Sequence, residues 1–340
     1  MSLSRLLACA AAALLAGLAL TFAVSSGTAL SLLTQATIYA VFALGLGLLL
    51  RQNGMASFGH ALFFGSAGYV VGILLQLKAV PAEAAIVIAV LGLTAFGFLL
   101  GLIIVRVPGI AFGMLTLAVG QMFFLTASRS RGLTGGADGM NIDWPSQLFG
   151  LSTSALLRPA PMFLVCWVVL VLCMLGLSLA LHGRFGAVTE AVRDNEERAR
   201  FIGIRTLLPR AALFALSAGI TSVAGVLSAL NTGFVSPESL HWSVSGVALM
   251  MVVVGGYKAL WGPVLGAMVY FLAKDILGDW ANHWMAIFGI ALITVIVFSP
   301  SGMAGALQRL ARPRKRHAPL AAARPRGAAA APATHSATAH

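Results

Sequence analysis

The sequence predicts an all-α, polytopic membrane protein of about ten transmembrane helices, some of them broken, with both termini cytoplasmic. Three observations carry this reading. Of 340 residues, 59% are apolar, only 9% are charged, and apolar runs of spanning length recur along the chain. A soluble domain runs near ~45–50% apolar and ~25% charged, so it would have no interior for this excess, whereas a bilayer absorbs roughly 20 apolar residues per helix. A soluble enzyme, a secreted disulfide scaffold and a disordered chain are thereby excluded. The net charge of +12 would direct a soluble chain toward nucleic acid; in a membrane chain it reports sidedness, and no nucleic-acid partner is expected.

The spans are read at 6–25, 29–50, 58–77, 84–105, 108–127, 162–181, 211–230, 243–257, 261–278 and 284–300. The first begins after Arg5 as an Ala/Leu run ending in small residues, which has the look of a secretory signal. A second span follows almost at once, so residues 1–28 are read as an uncleaved membrane helix, and 29–305 as the main transmembrane domain. With both ends inside, Arg51, Arg106, the arginines of loop 182–210, Lys258 and the basic residues from Arg309 onward are cytoplasmic. Lys78, Arg129, Arg131 and Arg158 alone fall outside, and this Lys/Arg asymmetry is what orients a membrane protein. Trp144, Trp242, Trp261, Trp280 and Trp284 stand at or beyond span ends, where an amphipathic ring belongs. The Ala/Pro/Arg-rich stretch 306–340 is expected to be a disordered tail, and its cluster Arg312, Arg314, Lys315 and Arg316 suits contact with anionic membrane lipid.

Catalytic chemistry is scarce. The sequence holds no GxxxxGK[ST] phosphate loop, no HExxH and no GxSxG elbow. Cys9, Cys166 and Cys173 lie in apolar runs without metal-ligand spacing, so they read as packing residues. Intramembrane ionisable residues, the default functional candidates, reduce to His60 and the adjacent Lys274 and Asp275, which are expected to neutralise each other or snorkel. That poverty disfavours a membrane-embedded enzyme and a proton-coupled carrier. Gly97-xxx-Gly101 and Gly262-xxx-Gly266 have helix-packing spacing. The clusters Asn53-Gly54, Gly59, Gly65, Gly68 and Gly255-Gly256 suggest broken helices; whether Gly54 marks a cytoplasmic turn or a mid-membrane break is open at this level.

Loop 182–210 is the long inside segment. Val188, Ala191, Val192, Ala199 and Ile202 fall on one helical stripe interrupted by Asn195. Arg193–Glu197, Asp194–Arg198 and Glu196–Arg200 are spaced for i,i+4 pairing, and Gly203 is a stop. A solvated connector needs no apolar face, so a docking helix is the reading preferred.

These residues carry a resemblance. Glu197-x-Ala199-x-x-x-Gly203 resembles the coupling loop of ABC importer permeases, although the Leu-Pro that closes that signature comes early here, at Leu208-Pro209. Ser57-Phe58-Gly59-His60-Ala61-Leu62-Phe63-Phe64-Gly65, Gly109-Ile110-Ala111-Phe112 with Leu115-Thr116-Leu117-Ala118 and Gln121, and Leu133-Thr134-Gly135-Gly136-Ala137-Asp138-Gly139 are similar to landmarks of the branched-chain amino acid permeases of the LivM type. So are Arg193-Asp194-Asn195-Glu196-Glu197-Arg198-Ala199, Phe234-Val235-Ser236-Pro237-Glu238-Ser239 and Gly262-Pro263-Val264-Leu265-Gly266, in family order.

The resemblance implies a non-enzymatic half-transporter in the inner (plasma) membrane of a bacterium. It would pair with a sister permease as a heterodimer, two ATPase subunits and a periplasmic or extracellular substrate-binding protein. No cofactor is expected in this chain, ATP and Mg being bound by the ATPase partner. Glu190, Arg193, Asp194, Glu196, Glu197, Arg198, Ala199 and Gly203 would form the ATPase-docking loop. Ser57, Phe58, Gly59, His60, Thr116, Gln121, Thr134, Gly135, Gly136 and Asp138 would belong to a pathway or gate, and no metal site is expected. The outside loop 128–161 offers Gly-rich flexible backbone for the binding protein or a gate. Branched-chain or similar hydrophobic amino acids are the implied cargo, with urea, short amides or small organic acids as alternatives. An ion-gradient-driven carrier is the alternative of another class.

Overall fold

In the computed structural model, which describes residues 3–78, 80–280, 286, 289–290, 293 and 302–311, long helices run back and forth along the chain. Helix α1 spans Leu3–Ala23 and α2 spans Gly27–Asn53. The Ser26 hydroxyl accepts from the Ala29 N–H to start α2, and Gly54, at φ +67°, ends it in the left-handed region that a side chain disfavours. Next come α3 (Ala61–Gln76), α4 (Ala82–Ile104) and α5 (Ile110–Arg129). A mixed segment follows: α6 (Arg131–Thr134), a 3-10 turn Gly136–Asp138, strands β1 (Met140–Asn141), β2 (Gln147–Leu148) and β3 (Leu151–Ser152), and α7 (Thr153–Leu156). Helix α8 (Pro159–His182) opens on proline, whose missing N–H is unneeded in a first turn. Then come α9 (Arg184–Asp194), α10 (Glu196–Phe201), α11 (Leu207–Thr232), β4 (Phe234–Val235), a 3-10 turn Pro237–Leu240, α12 (Trp242–Gly255), α13 (Gly262–Trp280) and a helix Gly302–Ala311.

Helices α2 and α11 pair at the centre, each apolar around most of its circumference, as a helix surrounded by other helices must be. Around them pack α3, α4, α8 and α13, while α1 touches the bundle through α8. Close approach depends on small residues. A methyl added at Gly97 would press on the Ala218 methyl at 2.7 Å, and one at Gly101 would meet the Ala211 backbone at 3.3 Å, so the first GxxxG pair seats α4 on α11. The second seats α13 on α12, where Gly266 faces the Met251 carbonyl. Phe42 and Phe64 stack at 5.1 Å in the main core.

The all-α polytopic class holds, but the span list is revised. Among the described residues six helices are long and apolar enough to cross a membrane: α1 (from Ser4), α2, α4, α5, α8 and α11. Helix α3 has 16 residues and α12 has 14, both shorter than a full crossing. The predicted span 58–77 loses its start because 54–60 is non-helical, and 243–257 ends at the Gly255–Gly256 break. Span 284–300 lies outside the described residues apart from isolated positions, and so does the tail beyond residue 311. The first residues assigned to that tail, 306–311, are helical instead. Lys274 and Asp275 form no ion pair with each other; both are exposed, and Lys274 Nζ sits 5.9 Å from the Phe271 ring centre.

Two ends emerge. The C-terminus of α2, the N-terminus of α11, loop 182–210 and the α12–α13 turn cluster at one end. Strand β1 pairs antiparallel with β4, Met140 opposite Val235, and the β2–β3 hairpin lies against the start of α4 through Phe149 N–H donation to Glu83 at 2.9 Å. The first end carries Arg51, Arg106, the loop arginines and Lys258, the Lys/Arg excess that the positive-inside rule associates with the cytoplasmic face.

Candidate functional site

The inward loop is not one helix. Asn195 leaves the helical region, and its side-chain oxygen accepts from the Arg198 N–H at 2.9 Å, so α9 ends and α10 starts anew. Of the three expected i,i+4 pairs only Glu196–Arg200 forms, at 2.6 Å. The kink separates Arg193 from Glu197 and Asp194 from Arg198; Arg193 instead binds its neighbour Asp194 at 2.8 Å. The apolar stripe is also redrawn: Val192 and Ala199 are buried with Gly186 and Thr189, while Ala191 is exposed and Ile202 is 75% exposed.

Three contacts clamp this loop to the bundle. Arg193 Nη1 donates to the Arg51 carbonyl at 2.6 Å, and Thr189 Oγ1 donates to Gln52 Oε1 at 3.2 Å, both at the C-terminus of α2. Glu196 grips the start of α11: Oε2 accepts from Arg210 at 2.6 Å, and Oε1 accepts from Arg200 at 2.6 Å and from Thr206 at 3.0 Å. Asn53 Nδ2 reaches the Arg210 carbonyl at 3.5 Å, tying α2 to α11. The Glu196 carboxyl is held below its ordinary pKa. Partial burial, the largest single influence, raises it, but the Thr206 hydroxyl and the charges of Arg210 and Arg200 together outweigh that. Glu190, Glu197 and Arg198 are exposed, and Gly203 takes φ +84° after α10. Beyond the clamp, Phe201 and Ile202 stand in solvent at 89% and 75% exposure. The sequence reading missed them as a patch because Ile202 fell on the assumed buried stripe and Phe201 was not singled out.

A second constellation lies inside the bundle, where 54–60 runs non-helically from the α2 terminus to α3. Gly54 is therefore a turn at the end of α2 beside loop 182–210, and the chain re-enters the bundle without helix. Gly59 allows this: a methyl there would overlap the Thr116 carbonyl of α5. Thr116 Oγ1 accepts from the Phe58 N–H at 3.2 Å and donates to the Gly113 carbonyl at 2.8 Å. His60 is fully enclosed, with Nδ1 2.7 Å from Ser57 Oγ and Nε2 2.8 Å from Ser217 Oγ, edge-on to Phe63 and Phe214. Ser217 in turn donates to the Gly45 carbonyl at 2.7 Å, and Ser245 Oγ accepts from the Ala61 N–H at 2.7 Å. These bonds satisfy the polar groups that a broken helix would otherwise leave bare in the membrane. His60 thus joins the start of α3 to α11 and, through Ser217, to α2, and is buried between them. Ser217 and Ser245 were not foreseen; the one signal was a hydroxyl within an apolar run.

On the outer side, LTGGADG is a tight turn and not the flexible stretch expected. Gly135 faces the Gly139 carbonyl, Gly136 is buried, and Gly139 abuts the Val235 carbonyl. Thr134 Oγ1 lies 2.6 Å from the Ala127 carbonyl and 2.8 Å from that of Ser130, while Asp138 is exposed. Gln121 sits on α5 beside a shallow groove shared with Leu117, Met122 and Arg129. Ile110, Met114, Met122 and Leu125 of the same helix are exposed. The structure therefore brings Ser57–His60 together with Thr116 and leaves Gln121, Thr134 and Asp138 apart from them. Among the described residues no group of three His, Cys, Asp or Glu could hold a metal ion.

The family described as "Branched-chain amino acid transport system / permease component" matches residues 28–297. The chain is 26% identical over 302 residues, 83% of its length and 71% of the relative's, to the high-affinity branched-chain amino acid transport system permease protein LivM of Escherichia coli. It is 28% identical over 300 residues, 83% of its length and 80% of the relative's, to the autoinducer 2 import system permease protein LsrC of Salmonella typhi. It is 26% identical over 295 residues, 80% of its length and 93% of the relative's, to the high-affinity branched-chain amino acid transport system permease protein BraD of Pseudomonas aeruginosa. No solved structure gives a significant match.

Proposed function

We propose, from the premise that this chain belongs to the family of permease components of branched-chain amino acid transport systems, that it forms half of the pathway through which an ABC importer moves branched-chain or similar hydrophobic amino acids across a bacterial inner membrane. The observation that carries the proposal is the clamped pair α9–α10, which presents Phe201 and Ile202 to solvent while holding both central helices by hydrogen bonds. An exposed apolar pair on a charged loop fits a groove on an ATPase partner.

In this reading two ATPase subunits bind ATP and Mg and close on each other, pulling α9–α10. Arg193 and Thr189 pass that displacement to α2, and Glu196 passes it to α11 through Arg210. Ser217 lies about two turns beyond Arg210 on α11 and carries it through His60 to the start of α3, so the non-helical segment 54–60 shifts against α5. The exposed face of α5 around Met114, Gln121 and Leu125 meets a sister permease, and the pathway runs between the two. The outer loop, fixed by β1–β4 and the LTGGADG turn, receives a soluble binding protein that delivers the cargo. A relative named for autoinducer 2 import, at comparable identity, supports keeping a second reading, in which the same architecture carries urea, short amides or small organic acids.

The test has two arms. Phe201→Asp with Ile202→Asp should leave the permease folded yet abolish copurification of the ATPase and ATP-driven uptake; retained assembly and uptake would remove the docking role. Thermal-shift screening of the cognate binding protein should select leucine, isoleucine or valine. Selection of urea, a short amide or a small organic acid instead would move the assignment to the second reading.

A further inference from the structure

We propose that the chain holds one anionic phospholipid in a crevice between α1, α8 and the α12–α13 turn, at its cytoplasmic end. The crevice encloses about 440 Å³, within the range of built ligand sites. Its walls are apolar, formed by Ala13 of α1 with Val171 and Met174 of α8, and suit an acyl chain. Its rim is cationic: Arg51 from α2 and Lys258 from the turn line the same opening, beside the His182 imidazole of α8, whose Nδ1 lies 2.6 Å from the Ser178 carbonyl. Trp261 stands beside them, the residue type that settles at the headgroup level.

The rim is the informative part. Neither the Arg51 guanidinium nor the Lys258 ammonium has a hydrogen-bond or ion-pair partner among the described residues, although Arg51 is half-buried. Among the described residues Glu190 is the acid whose charge reaches Arg51, and Arg193 opposes it. The site therefore keeps net positive charge beside hydrocarbon. Basic pockets between helices on the cytoplasmic side are the arrangement that captures lipid phosphate. The crevice is also fixed in depth, because Trp167 Nε1 of α8 donates to the Ala13 carbonyl of α1 at 2.8 Å. The chain's own basic cluster, Arg312 to Arg316, has the wrong sign to fill it.

The full importer complex, washed in detergent and examined by native mass spectrometry after addition of phosphatidylglycerol or phosphatidylcholine, tests this. Wild type should retain one phosphatidylglycerol with a preference of roughly 30-fold, from two cations at the surface. Arg51→Gln with Lys258→Gln should erase the preference, Arg51→Lys with Lys258→Arg should keep it, and Arg106→Gln, cytoplasmic but remote from the crevice, should not alter it. Equal retention of both lipids by wild type, or an equal loss in Arg106→Gln, would overturn the proposal. So would displacement of the adduct by millimolar inorganic phosphate, which would make this a free-anion site, or its loss on truncation after Ala311, which would assign the contacts to the tail.

Discussion

Substituting Glu196 by Gln tests whether the inward loop is clamped or merely adjacent. The carboxylate accepts three hydrogen bonds, from Arg200 and Thr206 on one oxygen and Arg210 on the other. Glutamine keeps one acceptor and turns an N–H₂ toward a donor, so at least one bond becomes a donor–donor contact. The Arg200 side chain is 66% exposed, and such a pair is worth only ~0.3–0.5 kcal/mol. Arg210 is 13% exposed and Glu196 28%, and a charged hydrogen bond there is worth ~1.5–3 kcal/mol. Losing both should destabilise α10 by about 2–3 kcal/mol, which is roughly 30- to 150-fold at 1.4 kcal/mol per decade. Hydrogen exchange of the amides of residues 196–204, with the chain in nanodiscs, reads that opening directly. Arg210→Gln should match Glu196→Gln, and Arg200→Gln should stay below about threefold. Acceleration below threefold in Glu196→Gln, or equal effects of the two arginine substitutions, would refute the clamp.

The same carboxylate makes the loop pH-sensitive. Its folded pKa lies below the ordinary value, so its contribution is present above the unfolded pKa of about 4.3 and is lost as pH falls through the folded value. Exchange in α10, corrected for intrinsic rates, should therefore accelerate on acidification, and the profile should flatten in Glu196→Gln. Ser217→Ala should strip both His60 Nε2 and the Gly45 carbonyl of a buried partner and lower stability by about 1–3 kcal/mol; an unchanged melting temperature in detergent would contradict the bridging role of Ser217. Gly59→Ala should force α5 away from the re-entrant segment, costing at least the ~1–3 kcal/mol of an overpacked core, and wild-type yield and melting would show that the close approach to Thr116 is not required.

Sequence reading was strongest where a single physical period decides. The apolar run of α2 between Ser26 and Gly54 is a full crossing with a cap at one end and a left-handed stop at the other, and both signals are local. The start of α3 was not local. Residues 58–60 look helix-compatible and apolar, but their path is set by the contact of Gly59 with a carbonyl on α5, more than fifty residues later. Loop 182–210 was half legible. Asn195 interrupted the stripe, which was the sign of a new cap, yet a continuous helix put Ile202 on the buried side. Ser217 gave almost no signal, because a hydroxyl in a helix ordinarily bonds its own preceding turn, as Thr34 and Thr37 do.

That difference between α2 and its partner bears on how the protein is made. Between the last residue of α2 and the first of α11 the ribosome adds more than 150 residues, about 8–30 s of synthesis at ~5–20 residues per second. For that interval the notch around Gly45 faces lipid or an insertion chaperone. The hydroxyls of Thr34 and Thr37 are already satisfied by the Leu30 and Leu33 carbonyls, so these two groups need no partner from a later helix when α2 enters the bilayer. Gln52 and Asn53 at its end, by contrast, await α9 and α11. Ser217 reaches the Gly45 carbonyl only after α11 arrives, which makes the central pair a late, post-insertion event in the birth of this membrane domain.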